Sequence, residues 1–259
     1  MVSPGLCSVT FRKLDPPQII ALAKETGLEC IEWGGDIHVP PGGGEREAEV
    51  RRLTRESGLG IGPYGSYYRA GESEEAGMSF ASVLESAAAL GAPTIRVWAG
   101  TRDRAEADDA YVDRVVDDLR RISVLAAERG IMVAPEFHDG TLTNRAESTL
   151  EILRRVDHPN LCAHWQPRHG QPAETGLAEI AALAPWLYHV HVFQWWPDSS
   201  RRFLLAEGRE RWVRFFRAIL AVPGVRFALL EFAQDDDPAA FRQDVQALRE
   251  IMAEAGCAG

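Results

Sequence analysis

The chain has 259 residues, 46% of them hydrophobic and 25% charged, with a net charge of −10. This is ordinary globular composition, and the acidic balance disfavours a nucleic-acid or anionic-membrane surface. No stretch approaches the roughly 18 continuous apolar residues of a membrane span, Met1–Phe11 lacks the charged start of a secretory signal, and Cys7, Cys30, Cys162 and Cys257 form no CxxC pair, so a soluble protein of the reducing cytoplasm is expected.

Two kinds of segment alternate from end to end. Leu6–Phe11 reads as a strand. Asp15 caps a helix with Pro16 in its first position, and Gly27 stops it. Cys30–Trp33 is the second strand, followed by the Gly- and Pro-rich loop Gly34–Gly44 with His38, then the amphipathic helix Glu45–Ser57. Leu59–Tyr64 leads into an aromatic loop with Tyr67, and Phe80–Leu90 is an Ala-rich helix ended by Gly91. Thr94–Trp98 is the fourth strand, with Arg96 as a charge inside its apolar run, and Asp108–Arg129 is a long helix. Ile131–Glu136, Leu161–Gln166, Leu187–Phe193 and Phe227–Phe232 are strands five to eight. The helices between and after them are Glu147–Arg155, Gly176–Ala184, Arg209–Leu220 and Pro238–Ala255.

Eight strand–helix units at a spacing of about 30 residues imply parallel strands with helical crossovers, and this number fits one closed (β/α)8 barrel over residues 1–259. An open doubly wound sheet would ordinarily carry a glycine-rich phosphate turn after its first strand. Here Phe11 is followed by Arg-Lys-Leu-Asp.

In such a barrel the C-terminal ends of all strands meet around one mouth. Strand five ends in Ala-Pro-Glu-Phe-His-Asp-Gly, with Glu136 and His138 on one face. Strand six offers His164, Gln166 and, in its loop, His169. Strand seven offers His189 and His191, and strand eight offers Glu231 inside Leu-Leu-Glu-Phe-Ala. A carboxylate inside a core strand is costly unless paired or metal-bound. Glu136, Gln166, His191 and Glu231, from four consecutive strands, form an oxygen-rich set with one nitrogen. It suits one divalent cation, Mn²⁺, Mg²⁺ or Zn²⁺. His164 and His189 read as residues that point away from the ligand-bearing face or support this set from behind, and Arg96 either contacts substrate or neutralises a neighbouring Glu.

The chain resembles the xylose-isomerase-like sugar (phosphate) isomerase/epimerase superfamily. The resemblance runs through Gly27-Leu28-Glu29-Cys30-Ile31-Glu32-Trp33, Leu90-Gly91-Ala92, Pro135-Glu136-Phe137-His138, His189-Val190-His191 and Leu230-Glu231-Phe232, in order along nearly the whole chain. It implies a TIM barrel in which Glu, Asp, His and Glu from strands five to eight hold one divalent metal. Glu136, His191 and Glu231 take three of those places. The fourth departs, because the family's Asp-x-x-His after strand six is Gln166-Pro167-Arg168-His169 here. The family's frequent Asp just past the strand-seven His is likewise Gln194.

The resemblance implies proton transfer beside a carbonyl of a small sugar or polyol, through an enediolate, with Glu136 and Glu231 as the catalytic carboxylates. His38, Tyr67, Arg96, His138, His169 and Trp195 are the expected substrate contacts, and Trp98 and Trp196 further walls. The alternatives are a metal-dependent lyase that dehydrates a keto-polyol or dehydroshikimate-type acid, an abasic-site endonuclease, which the acidic charge opposes, and a sugar-binding barrel without catalysis. No interface is legible, so a homo-oligomer stays open.

Overall fold

The computed structural model describes residues 2–42 and 44–256, and Cys257 lies outside them. Eight parallel strands stand in the order β5-β4-β3-β2-β1-β8-β7-β6. They are β1 (Ser3–Cys7), β2 (Cys30–Gly34), β3 (Gly60–Arg69), β4 (Thr94–Trp98), β5 (Met132–Pro135), β6 (Ala163–Trp165), β7 (Leu187–Val192) and β8 (Phe227–Leu230). The parallel bridges Val133–Leu161 and Glu136–His164 join β5 to β6 and close the ring. The protein is a (β/α)8 TIM barrel.

Eight helices follow the strands: α1 (Pro16–Glu25), α2 (Glu45–Glu56), α3 (Phe80–Leu90), α4 (Asp109–Ala127), α5 (Ala146–Val156), α6 (Ala173–Leu183), α7 (Arg209–Leu220) and α8 (Pro238–Glu254). Their starts are written locally. Asp15 accepts from the Gln18 N–H while Gln18 accepts from the Asp15 N–H, each at 2.9 Å, and Pro16 needs no acceptor in the first turn. Asp108 caps α4 through the Tyr111 N–H at 2.8 Å, and Gly91 ends α3 with φ +77°. Large rings such as Trp165, Trp212, Phe215 and Phe216 fill the layer between barrel and helices.

Three elements differ from the sequence expectation. β1 ends at Cys7, and residues 8–11 form a 3₁₀ turn whose apolar side chains are buried; a short apolar run does not distinguish the two by itself. β3 runs on to Arg69 because its aromatic end pairs with β4, Arg69 lying opposite Trp98. Helix α6 begins at Ala173, ahead of Gly176.

Alternation along each strand sends every second side chain inward. Low in the barrel, His189 Nε2 meets Thr94 Oγ1 at 2.9 Å across the interior. One layer higher come Arg96 and His191. Gly65 on β3 leaves room for this layer: a Cβ there would stand 2.6 Å from Arg96 Nη2 and 3.0 Å from Glu32 Oε1.

Candidate functional site

Glu136, Gln166, His191 and Glu231 converge at the C-terminal ends of β5 to β8, and all four are buried. The nearest oxygens to His191 Nδ1 are Gln166 Oε1 at 3.0 Å, Glu231 Oε2 at 3.2 Å and Glu136 Oε1 at 3.3 Å. One Nδ1–H has a single direction and cannot serve three acceptors. Donor atoms of Glu136, His191 and Glu231 lie within 4.8 Å of one another. Ligands at right angles on a cation with bonds of ~2.1 Å stand about 3.0 Å apart, so this spacing fits a first-row divalent ion or Mg²⁺.

His191 is oriented from behind. Its Nε2 lies 3.2 Å from Glu32 Oε2. A carboxylate that takes the outer N–H leaves the inner nitrogen free for a cation. Arg96 in turn donates through Nε to Glu32 Oε1 at 2.8 Å and through Nη1 to Glu136 Oε2 at 2.5 Å. Trp98 Nε1 donates to the same Glu136 oxygen at 2.6 Å. The bonds to Glu136 explain its acidity: burial alone would push the carboxyl up, but Arg96, then His191, outweigh it and hold it well below the usual carboxylate range. Glu32 is lowered by the same balance of burial against Arg96 and His191. Burial pulls His191 down, yet Glu231 and Glu32 outweigh it and raise the imidazole well above its ordinary value.

Glu231 has a different setting. Its carboxylate meets His191, and no arginine or indole donor to it is found among the described residues. Beneath the cluster, His164 packs 4.0 Å from His191, ring centre to ring centre, with no hydrogen-bond partner at either nitrogen. Burial keeps His164 and His189 neutral, His189 lowered to about 3. His164 thus packs directly beneath His191, and His189 lies one layer lower against His164 at 5.6 Å.

The rim is aromatic. On the β3–β5 side Tyr67 tilts against Trp98 at 5.7 Å, and His138 stacks on Trp98 at 5.0 Å. On the β6–β8 side His169 stacks on Trp195 at 4.4 Å, and Trp195 packs against Phe232 at 4.9 Å. Tyr67 and Phe232 have φ of +58° and +60°, a strained region for residues with a Cβ. The Tyr67 hydroxyl accepts from Arg12 Nη2 at 2.8 Å, and the Phe232 N–H donates to Thr10 Oγ1 at 3.0 Å. Trp195 Nε1 is buried without an acceptor, a donor of the kind a polar ligand satisfies.

The structure therefore brings together Glu136, Gln166, His191 and Glu231, with Tyr67, His138, His169 and Trp195 around them. One expected substrate contact is corrected, and for Arg96 the second of its two readings, a counter-ion, is the one its contacts fit. His38 is 2% exposed, and both ring nitrogens are taken, by Ser8 Oγ at 3.0 Å and the Leu14 carbonyl at 3.1 Å, so it ties the first two loops together. Arg96, also 2% exposed, is the counter-ion of two buried carboxylates. Sequence reasoning did not assign Glu32 its place behind His191 or Trp98 its bond to Glu136. The signal for Glu32 was present as a carboxylate at a strand end, but pairing across the barrel is a tertiary fact.

A family model described as a xylose isomerase-like TIM barrel matches residues 20–251. Over 203 residues, 72% of this chain and 70% of the relative, the sequence is 28% identical to a 3-dehydroshikimate dehydratase of Bacillus anthracis. Among solved structures, a probable 3-DHS dehydratase of Bacillus anthracis superposes with a TM-score of 0.77 at 21% identity, covering 96% of this chain and 99% of that one. A D-psicose 3-epimerase in the presence of D-fructose gives 0.76 at 17% identity over 98% and 100%. An L-ribulose 3-epimerase gives 0.77 at 17% over 99% and 96%. At these identities the superpositions establish a shared fold. No helix among the described residues is long and apolar enough to cross a membrane.

Proposed function

The chain belongs to the xylose isomerase-like TIM-barrel family, and from that premise we propose that it moves a proton beside the carbonyl of a small polyhydroxylated substrate, as a divalent-cation-dependent isomerase or epimerase of a sugar or polyol. The observation that carries this reading is the meeting of two carboxylates, an amide oxygen and one imidazole nitrogen at 3.0–3.3 Å. Glu136, Gln166, His191 and Glu231 would hold the cation, Mn²⁺, Mg²⁺ or Zn²⁺. When bound, it supplies a Lewis acid that stabilises negative charge on substrate oxygens.

The chain's own groups do the rest. Glu231 takes the proton, since its carboxylate has one close neighbour and keeps an oxygen for the substrate. Returning the proton to the adjacent carbon from the same carboxylate, while the hydroxyl proton passes from one substrate oxygen to its neighbour, isomerises the substrate. Returning it to the opposite face of the original carbon epimerises it, and that requires Glu136 to carry a proton. Tyr67, Trp98, His138, His169 and Trp195 enclose the substrate, with Trp195 Nε1 as a donor to a hydroxyl.

One observation favours a second reading, a lyase that expels water. Arg96 and Trp98 clamp Glu136 in its ionised form, which suits a single-base reaction better than a two-base epimerisation. The 28% identity to a 3-dehydroshikimate dehydratase points the same way. In that reaction Glu231 removes the proton, and His138 or His169 delivers one to the departing hydroxyl. Incubation with a panel of ketoses and with a cyclic keto-acid in D₂O separates the outcomes. Isomerisation or epimerisation gives a product of unchanged mass apart from solvent deuterium. Dehydration gives loss of water and a new ultraviolet band. No turnover of any panel member by the metal-replete protein would count against both.

A further inference from the structure

Arg96 and Arg211 both carry guanidinium nitrogens out of water, and their surroundings are opposite. Arg96 has two carboxylates. Arg211, in the first turn of α7, donates through Nη2 to Gln194 Oε1 at 2.8 Å, while its Nε–H and Nη1–H groups are shut off from solvent and meet no acceptor. No ion pair to Arg211 is found among the described residues. Burial, with no carboxylate to offset it, pulls its pKa down. The rings of Trp196 and Phe215 lie 5.6 and 5.8 Å from its Cζ.

Beside this guanidinium is a cavity of about 380 Å³, with Arg211, Arg214, Gln194, Trp196 and Gly208 among its walls. Two carboxylates also border it, and neither bonds Arg211: Glu207 accepts from the Leu204 N–H at 3.1 Å, and Glu210 is exposed. Arg214 pairs with Glu174 at 2.6 Å. Gly208 lets the Gln194 amide lie close against the start of α7, where a Cβ would come within 2.0 Å of Gln194 Oε1. Position 194 is the one at which the family resemblance leads one to expect Asp. An acid there would be a counter-ion within the chain; the amide accepts one hydrogen bond and leaves the charge unanswered.

Buried N–H groups are satisfied almost everywhere in folded proteins, and a charge partly withdrawn from water, as in the part-buried Arg211 side chain, gains from an opposite charge as well as from a hydrogen bond. Water would meet the first need and not the second. A planar guanidinium with unused donors suits a carboxylate or phosphate group. We propose that this cavity is a binding site for a small oxyanion, held on Arg211 behind the wall formed by the β7 loop and separate from the cation seat. Trp195 and Trp196 face opposite sides of that wall: Trp195 packs into the rim, and Trp196, 41% exposed, lies over Arg211. Entry of the anion turns Trp196 aside.

The test is a titration of the intact protein, as purified, with inorganic phosphate and separately with malonate, read by thermal midpoint and tryptophan fluorescence. A saturable response to either anion is expected, and the arm that responds identifies the phosphate or the carboxylate chemistry. Affinity should fall at least tenfold in Arg211→Gln and in Gln194→Glu, which supplies a carboxylate in place. It should be unchanged in Glu231→Gln, and the fluorescence part should be lost in Trp196→Phe. Both Arg211→Gln and Gln194→Glu should melt at or above the parent temperature without anion, since the first removes the unanswered charge and the second answers it. No saturable response in the parent would overturn the proposal. So would a response that survives Arg211→Gln, or one abolished by Glu231→Gln, which would put the anion at the cation seat.

Discussion

The two sides of the barrel mouth hold chemically identical carboxylates in unlike settings. On the β5 side, Glu136 is gripped by Arg96 at 2.5 Å, by Trp98 at 2.6 Å and by His191 at 3.3 Å. On the β8 side, Glu231 meets His191 at 3.2 Å. A carboxylate surrounded by permanent donors is fixed as a charge; one with a spare oxygen can carry a proton. The pairing of one fixed and one free acid suits a reaction in which a single carboxylate moves the proton beside a bound cation.

The sharpest way to break this comparison is to neutralise each side in turn. Glu231→Gln should lower kcat by about 10²–10⁴, the range of a lost general base, while part of the bound cation is retained. Steady-state rates beside metal content check this, and an unimpaired Glu231→Gln would remove the free side from the chemistry. Next, Arg96→Met leaves Glu32 and Glu136 buried without their cation. Breaking a buried ion pair in this way costs about 3–5 kcal/mol, and urea denaturation should show a loss of that size. Stability equal to the parent would mean that the clamp contributes nothing. A smaller effect tests the support behind the shared imidazole: Glu32→Gln should weaken cation affinity about 10–100-fold, as loss of a carboxylate behind a ligating histidine does, measured by competition with a chelator.

The smallest effect is one of stability and concerns the β8 side alone. There the wall is backed by Asp244, which accepts from the Leu205 N–H at 2.7 Å. Burial raises the Asp244 carboxyl from 3.8 to about 6, with the Leu205 N–H lowering it and Glu207 raising it. An acid whose folded value lies above its unfolded value favours the folded state fully below pH 4, and that contribution is lost as the pH rises towards 6. Asp244→Asn should match the parent near pH 4 and exceed it at pH 7 by on the order of 2 kcal/mol. A difference that does not vary with pH would assign Asp244 a role other than titration. The β5 side, where arginine holds the Glu32 and Glu136 carboxyls below their ordinary value of 4.5, should show the opposite sign, its contribution being present at pH 7 and declining as the pH falls below about 4.5.

Much of this was legible in the sequence, for physical reasons. The repeat of about 30 residues fixes parallel crossovers, and parallel crossovers in that number close a barrel. Closure brings the strand ends together, so Glu136, Gln166, His191 and Glu231 could be grouped before any coordinates. What the sequence hid is pairing across the interior. His38 looked like a loop ligand, yet Ser8 and Leu14 use up its ring nitrogens. Arg96 stood as either a substrate contact or a counter-ion, and only the positions of Glu32 and Glu136 decide it. The asymmetry of the two carboxylates is also a tertiary property, since Glu136 and Glu231 each stand in the same local pattern, an apolar run ending in Glu-Phe.

The proposed chemistry depends on one shared cation. Metal analysis of the protein purified without chelator, side by side with Glu136→Gln, tests it most directly. About one divalent ion per chain in the parent, and a small fraction of that in the variant, is the expected result. A full complement of ion in Glu136→Gln would contradict it.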